Sequence, residues 1–125
     1  MSDRQPWPTE IRLRNDRRSI LVRFDDGAEY DFAAEFLRVL SPSAEVQGHS
    51  PDQRKTVPGK IDVAISAIDP VGNYAIRPTF SDGHDSGLFT WTYLRKLGEE
   101  KGDLWNAYLA DLKRQGLSRE VRRPA

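Results

Sequence analysis

The stretch Ile20-Leu-Val-Arg-Phe-Asp-Asp-Gly-Ala-Glu-Tyr-Asp-Phe-Ala-Ala-Glu-Phe-Leu-Arg-Val-Leu40 decides the fold. Ile20, Val22 and Phe24 recur at every second position, the period that places one apolar set on one face of a strand. Asp25-Asp26-Gly27 supplies the turn chemistry for a hairpin into a second strand over residues 29–32. At Ala33 the period changes. Phe36, Leu37 and Leu40 have helical spacing, and the helix must stop by Ser41 because Pro42 disfavours helical geometry in the residue before it. Hairpin strands that feed a helix belong to an α+β domain with helices packed on a sheet face.

The same pattern extends in both directions. Ile11 and Leu13 alternate with charged residues ahead of an Asn15-Asp16 turn, so a further strand precedes Ile20 and arginines load its outer face. Residues 60–68 alternate through Ile61, Val63 and Ile65, and Pro70-Val-Gly-Asn73 fits a turn with glycine at a positive-φ position. Tyr74, Ile76 and Phe80 carry the returning strand, with Pro78 at an edge or near its end. After the Asp82-Gly83 turn, residues 88–91 form a short strand or lead straight into a helix. In that helix Trp91, Leu94 and Leu97 share a face, with Thr90 as cap and Gly98 as stop. Asp103 then caps a last helix with Leu104, Trp105, Tyr108, Leu109 and Leu112 on one face, ended by Gly116. The predicted fold is α+β: a small antiparallel or mixed sheet of about five to six strands, with two to three helices packed on it. Residues 1–8 read as a flexible leader, 9–116 as a single domain and 117–125 as a flexible tail. Residues 43–59 lack apolar repeats and form a loop of about 17 residues, a length found more often in functional than in merely connecting segments.

With 19 basic and 19 acidic residues the formal net charge is zero, which removes the bulk electrostatic reason to expect nucleic acid. There is no cysteine, so disulfides, Cys-ligated zinc, thiolate-held iron–sulfur clusters and a cysteine nucleophile are excluded. No apolar run suits a signal peptide or a membrane helix, and a cytoplasmic location without membrane contact is the expectation. Phosphate-cradling glycine loops are absent, as is the strand–turn–helix elbow of a serine hydrolase.

The chemistry-bearing candidates centre on the two histidines. His84 lies between Asp82 and Asp85 on a glycine-flanked turn, and Glu45 stands four residues before His49. Imidazoles and carboxylates within reach of one another can hold a divalent metal, so His84, His49, Glu45 and Asp82 are the candidate metal ligands, with Asp85 beside them. The competing reading makes His84 a turn residue bonded to a carboxylate or to backbone. A general acid–base pair of His84 and an aspartate is a third, weaker reading. Trp91, Tyr93, Trp105 and Tyr108 could line a ligand pocket, although helical spacing already assigns them to packing. Arg77 and Arg95 could clamp an anion. The preferred functional reading is a non-catalytic binding domain. Its face for a protein partner would hold Ser43, Glu45, Gln47, His49, His84 and Asp85.

Three stretches together carry a family resemblance: Phe36-Leu-Arg-Val-Leu-Ser-Pro-Ser-Ala-Glu-Val-Gln-Gly-His49, Ile68-Asp-Pro-Val-Gly-Asn-Tyr74, and Phe80-Ser-Asp-Gly-His-Asp-Ser-Gly-Leu-Phe-Thr-Trp-Thr-Tyr-Leu94. The chain resembles an uncharacterised bacterial family sharing the gamma-butyrobetaine hydroxylase-like N-terminal domain. In the hydroxylases such a domain precedes the oxygenase domain and holds a structural zinc through three cysteines and a histidine. The resemblance places the thiolate positions around Ser41, Ser43 and Val46, and the histidine on His84. A hydroxyl or an alkyl group cannot replace a thiolate on zinc, so no cofactor is expected. Hydroxylase activity is not expected either, because no oxygenase domain follows. Related domains attached to iron–sulfur cluster carrier ATPases imply an accessory role in cluster or metal metabolism. The alternative to the adaptor reading is a residual divalent-metal or small-ligand site using His84 and His49.

Overall fold

The structure, a computed structural model, describes residues 7–43 and 55–121. Its first sheet holds β1 (Pro8–Leu13), β2 (Ser19–Phe24) and β3 (Glu29–Ala33), antiparallel in that order. Gly27 takes the positive φ of 92° that the β2–β3 turn needs, and the Asp26 side chain accepts a hydrogen bond from the Ala28 N–H. The register sets Ile20 opposite Phe32. Ile20, Val22, Phe24 and Phe32 are buried, as the period of two requires. The outer face explains the arginines: Arg23 pairs with Glu10 at 3.1 Å and Glu29 at 3.0 Å, and Arg14 with Asp31 at 2.8 Å. Arg23 thus meets carboxylates on both neighbouring strands, the favourable cross-strand arrangement of opposite charges. The helix α1 (Ala34–Val39) follows without a linker and buries Ala34, Phe36, Leu37 and Val39 before Pro42.

The second sheet holds β4 (Ile65–Val71), β5 (Ala75–Phe80) and β6 (Phe89–Thr90), again antiparallel in that order. Here the expected strand at 60–68 is displaced. Val63 and Ile65 are buried, but the Val63 N–H closes a turn onto the Lys60 carbonyl, so pairing begins only at Ile65. Pro70 lies inside β4 rather than in the turn, which an edge strand tolerates. Pro78 sits in β5 beyond the residues that pair with β6, so its missing N–H leaves no gap.

Thr90 caps α2 (Trp91–Glu99), its hydroxyl accepting from the Tyr93 N–H at 3.1 Å. Gly98 does not stop this helix. A Cβ there would lie 2.5 Å from the Tyr30 ring, so glycine is required by close packing against β3. The last helix, α3 (Lys101–Arg114), starts two residues before Asp103, which occupies its first turn; Tyr108 and Leu112 are buried while Leu109 stays exposed. One core unites both sheets and the helices, with Phe32, Leu37, Ile65, Phe80, Phe89, Leu94 and Leu97 among its members. The α+β prediction holds: the described residues form six strands, divided between two three-stranded sheets, and three helices. Residues 117–121, read from sequence as tail, lie along residues 59–61: the Gly59 N–H donates to the Ser118 carbonyl and the Ile61 N–H to the Arg119 carbonyl. Among the described residues no helix is long and apolar enough to cross a membrane.

Candidate functional site

Two chain segments far apart in sequence build the site. The first is the end of α1 with Leu40, Ser41 and Ser43, and the second is the turn that leaves β5 at Phe80. That turn is tightly specified. Gly83 has φ of 92°, the Phe80 N–H donates to the His84 carbonyl at 2.9 Å, and the Asp82 Oδ1 accepts the His84 N–H at 3.0 Å. The chain is thereby reversed so that the His84 ring points inward, 6.1 Å from the Phe80 ring centre.

There the His84 Nε2 lies 2.9 Å from the Ser41 Oγ and 3.5 Å from the Ser43 Oγ. The first contact is a sound hydrogen bond and the second a marginal one. Ser41, Ser43 and His84 are 0, 4 and 6% exposed, so the cluster is internal. Gly87 closes it: a Cβ at that position would fall 2.2 Å from the Ser41 Oγ and 3.3 Å from Pro42. The Tyr93 hydroxyl donates to the Leu40 carbonyl at 2.5 Å, fixing the same corner from α2. A Ser–His contact at this distance could in principle activate a nucleophile, but a hydroxyl with no exposure cannot meet a substrate.

Asp82 faces away from this cluster and carries two cations, Arg38 Nε at 2.7 Å and Lys60 Nζ at 2.6 Å. Partial burial raises its pKa, but hydrogen bonds from Lys60, the His84 N–H and Arg38 outweigh that effect and hold it at about 2. The carboxylate is thus ionised and occupied. Among the described residues, Arg38 Nη1 is buried and has no hydrogen-bond partner. Where the described chain resumes at Lys55, the Tyr108 hydroxyl donates to the Val57 carbonyl at 2.6 Å and Gln115 Nε2 to Thr56 Oγ1 at 2.7 Å. Burial, reinforced by the nearby Glu35 charge and opposed by Arg119, pushes Tyr108 up to about 12. It therefore stays a donor throughout the physiological range. A cleft of about 330 Å³ lies beside this return, with Lys55, Asp111 and Arg114 in its wall.

Of the residues singled out in the sequence, the structure thus brings Ser43 and His84 together, places Asp82 on the neighbouring ion pairs and leaves Asp85 exposed. Glu45, Gln47 and His49 lie outside the described residues, and with them the meeting of His49 and His84. Among the described residues no group of three or more histidine, cysteine, aspartate or glutamate side chains could share a metal ion. Arg77 and Arg95 are engaged by Asp69 and Asp26. Sequence reasoning passed over Arg38, Lys60 and Gly87. Only Gly87 carried a local signal, as a glycine with no turn partner beside the His84 motif.

The model of the family described as gamma-butyrobetaine hydroxylase-like, N-terminal, matches residues 11–95. The chain belongs to this family. Two NMR solution structures are similar to it. One is 43% identical over 98% of this chain and 96% of that one, with a TM-score of 0.82. The other is 41% identical over 100% and 93%, with a TM-score of 0.80. A crystal structure of a protein with unknown function from the DUF971 family of Acidithiobacillus ferrooxidans is 39% identical over 78% of this chain and 98% of that one, with a TM-score of 0.64. No curated protein matches. The zinc that the family resemblance implies calls for three thiolates and an imidazole. Here two neutral hydroxyls stand instead, near the imidazole nitrogen on their side of the ring, so the described residues do not fit zinc.

Proposed function

We infer that this chain is a non-catalytic binding domain whose contacts with a protein partner come from the segment between Ser43 and Lys55, with exposed Asp85 beside it. One observation carries the reading: both ends of that segment are fastened to the core. Its start is held by the Ser41–His84–Ser43 cluster under Gly87, and its return by Tyr108 on Val57 and Gln115 on Thr56. Fixed residues on either side of a connecting segment are the frame on which recognition residues are commonly carried. In this reading Ser43 and His84, being buried, position the loop, while Glu45, Gln47, His49 and Asp85 supply contacts. The zinc of related domains has been replaced by a hydrogen-bonded hydroxyl–imidazole cluster that does the same structural work. An accessory role in cluster or metal metabolism, in a cytoplasmic setting, names one class of partner to try first.

The test compares affinity capture by the wild-type protein with capture by a variant whose residues 44–54 are a Gly-Ser linker. Unchanged near-UV circular dichroism would show that the variant keeps its core. The reading expects proteins enriched by the wild type to be lost by the variant and to bind the purified domain directly. Retention of the same proteins by the linker variant would remove it. The divalent-metal alternative through His84, His49, Glu45 and Asp82 has less support, because Asp82 already satisfies two cations.

A further inference from the structure

Away from the Ser41–His84 cluster, α1 and α3 border a groove of about 600 Å³ whose lining includes Asp31, Glu35, Phe36, Lys101, Trp105 and, with its side chain in place, Arg119. Glu35 is only 5% exposed. A buried carboxylate requires a paired, hydrogen-bonded partner, and Arg119 supplies it in two-pronged geometry. Its Nε donates to Oε2 at 2.8 Å and its Nη2 to Oε1 at 2.7 Å, while the guanidinium carbon stands 5.1 Å from the Trp105 ring centre. Carboxylate and aromatic face thus converge from two helices of the core, and the cation arrives from the segment that follows α3.

That segment is thinly held. Leu117 and Val121 remain 37 and 53% exposed, so apolar burial contributes only part of its docking. The rest of the hold consists of the Arg119 ion pair, its stacking on Trp105, the backbone bonds from the Gly59 and Ile61 N–H groups, and the Leu117 N–H on the Leu112 carbonyl. The receptor half, by contrast, is part of the packed core: Phe36 and Trp105 lie 6.3 Å apart, and Trp105 and Tyr108 5.2 Å apart.

We propose that the Glu35–Trp105 groove is a binding site for an arginine side chain on an extended peptide segment of a protein partner. Residues 117–121 are its intramolecular occupant, displaced when the partner binds. A planar guanidinium satisfies both carboxylate oxygens and stacks on the indole, which an ammonium cannot do at once. The N–H groups of Gly59 and Ile61 add main-chain recognition, which selects a peptide over a free guanidine. This site is separate from the loop base and does not rest on the reading of residues 44–54.

Two measurements test it. In the wild-type protein, hydrogen exchange at the Gly59 and Ile61 amides should run at least about tenfold faster than at Val22 and Phe32, through local release of the segment. Exchange of all four at one common rate would overturn the proposal, and this arm needs no variant. In the second arm, Arg119→Ala protein is titrated with the capped peptide Gly-Leu-Ser-Arg-Glu-Val and followed by the Gly59, Ile61 and Trp105 indole signals. The variant should bind at least about tenfold more tightly than wild type, because no tethered arginine competes for the groove. The same peptide with alanine for arginine should not bind. Equal affinity of the two proteins, equal affinity of the two peptides, or association only as dimers that exchange the segment would each overturn the proposal.

Discussion

Replacing Asp82 by asparagine tests the electrostatic part of the site in isolation. Asparagine keeps an oxygen for the His84 N–H but removes the charge facing Arg38 and Lys60, 2.7 and 2.6 Å away. The native carboxyl is held at about 2 rather than the ordinary 3.8, against the opposing effect of burial. At about 1.4 kcal/mol per pKa unit this difference corresponds to roughly 2 kcal/mol of folding stability at neutral pH. The side chain is 21% exposed but Asp82 as a whole residue is exposed, so solvent screening makes this figure an upper bound. The sign follows from the direction of the shift. A depressed folded-state pKa stabilises the protein above the unfolded value, and that stabilisation disappears as pH falls from about 4 towards about 2. Urea unfolding followed by tryptophan fluorescence should therefore show Asp82→Asn about 1–2 kcal/mol less stable at pH 7. Near pH 2 the gap should shrink to under about 0.5 kcal/mol, because the carboxyl is then almost fully protonated when unfolded and about half protonated when folded. A gap of equal size at both pH values would refute the reasoning, as would a neutral substitution at pH 7.

Two glycines that look alike in sequence should respond oppositely to alanine. Gly98→Ala drives a Cβ to 2.5 Å from the Tyr30 ring and should cost about 1–3 kcal/mol in urea unfolding, whereas Gly102→Ala meets nothing within 4 Å and should gain up to about 1 kcal/mol from helix propensity. Ser41→Ala removes the 2.9 Å partner of the His84 ring and should cost about 1–3 kcal/mol, with a change in the ¹⁵N shift of His84 Nε2 that a purely steric effect would not produce. Tag-free protein should show no rise in melting temperature on adding zinc, manganese or ferrous iron. A saturable rise with any of them would restore the metal reading, since a ligand that binds only the folded state must stabilise it.

The strand–turn–strand–helix run from Ile20 to Leu40 was legible because each of its signals is local. Side-chain period, a glycine able to take positive φ and a proline that ends a helix all act over a few residues. The same locality explains the misreadings. Alternation through Ile61, Val63 and Ile65 is real as burial, yet where β4 begins is set by its partner strand, through pairs such as Ile65 with Phe80. Gly98 resembles a helix stop in sequence and is instead the point where α2 meets Tyr30.

For the site, the sequence by itself determined the residue types: no thiolate anywhere, hydroxyls at two positions the family resemblance marks, and a histidine on a glycine turn. Packing alone decided that Ser41 and Ser43 reach His84 across roughly forty positions of chain, that Asp82 meets Arg38 and Lys60 as well as the His84 N–H, and that Glu35 is paired with Arg119. Nothing in a list of arginines distinguishes the one that stacks on a tryptophan from those that line a solvated sheet. That choice is made by which carboxylate the fold buries, and burial is a property of the assembled core rather than of any single stretch of chain.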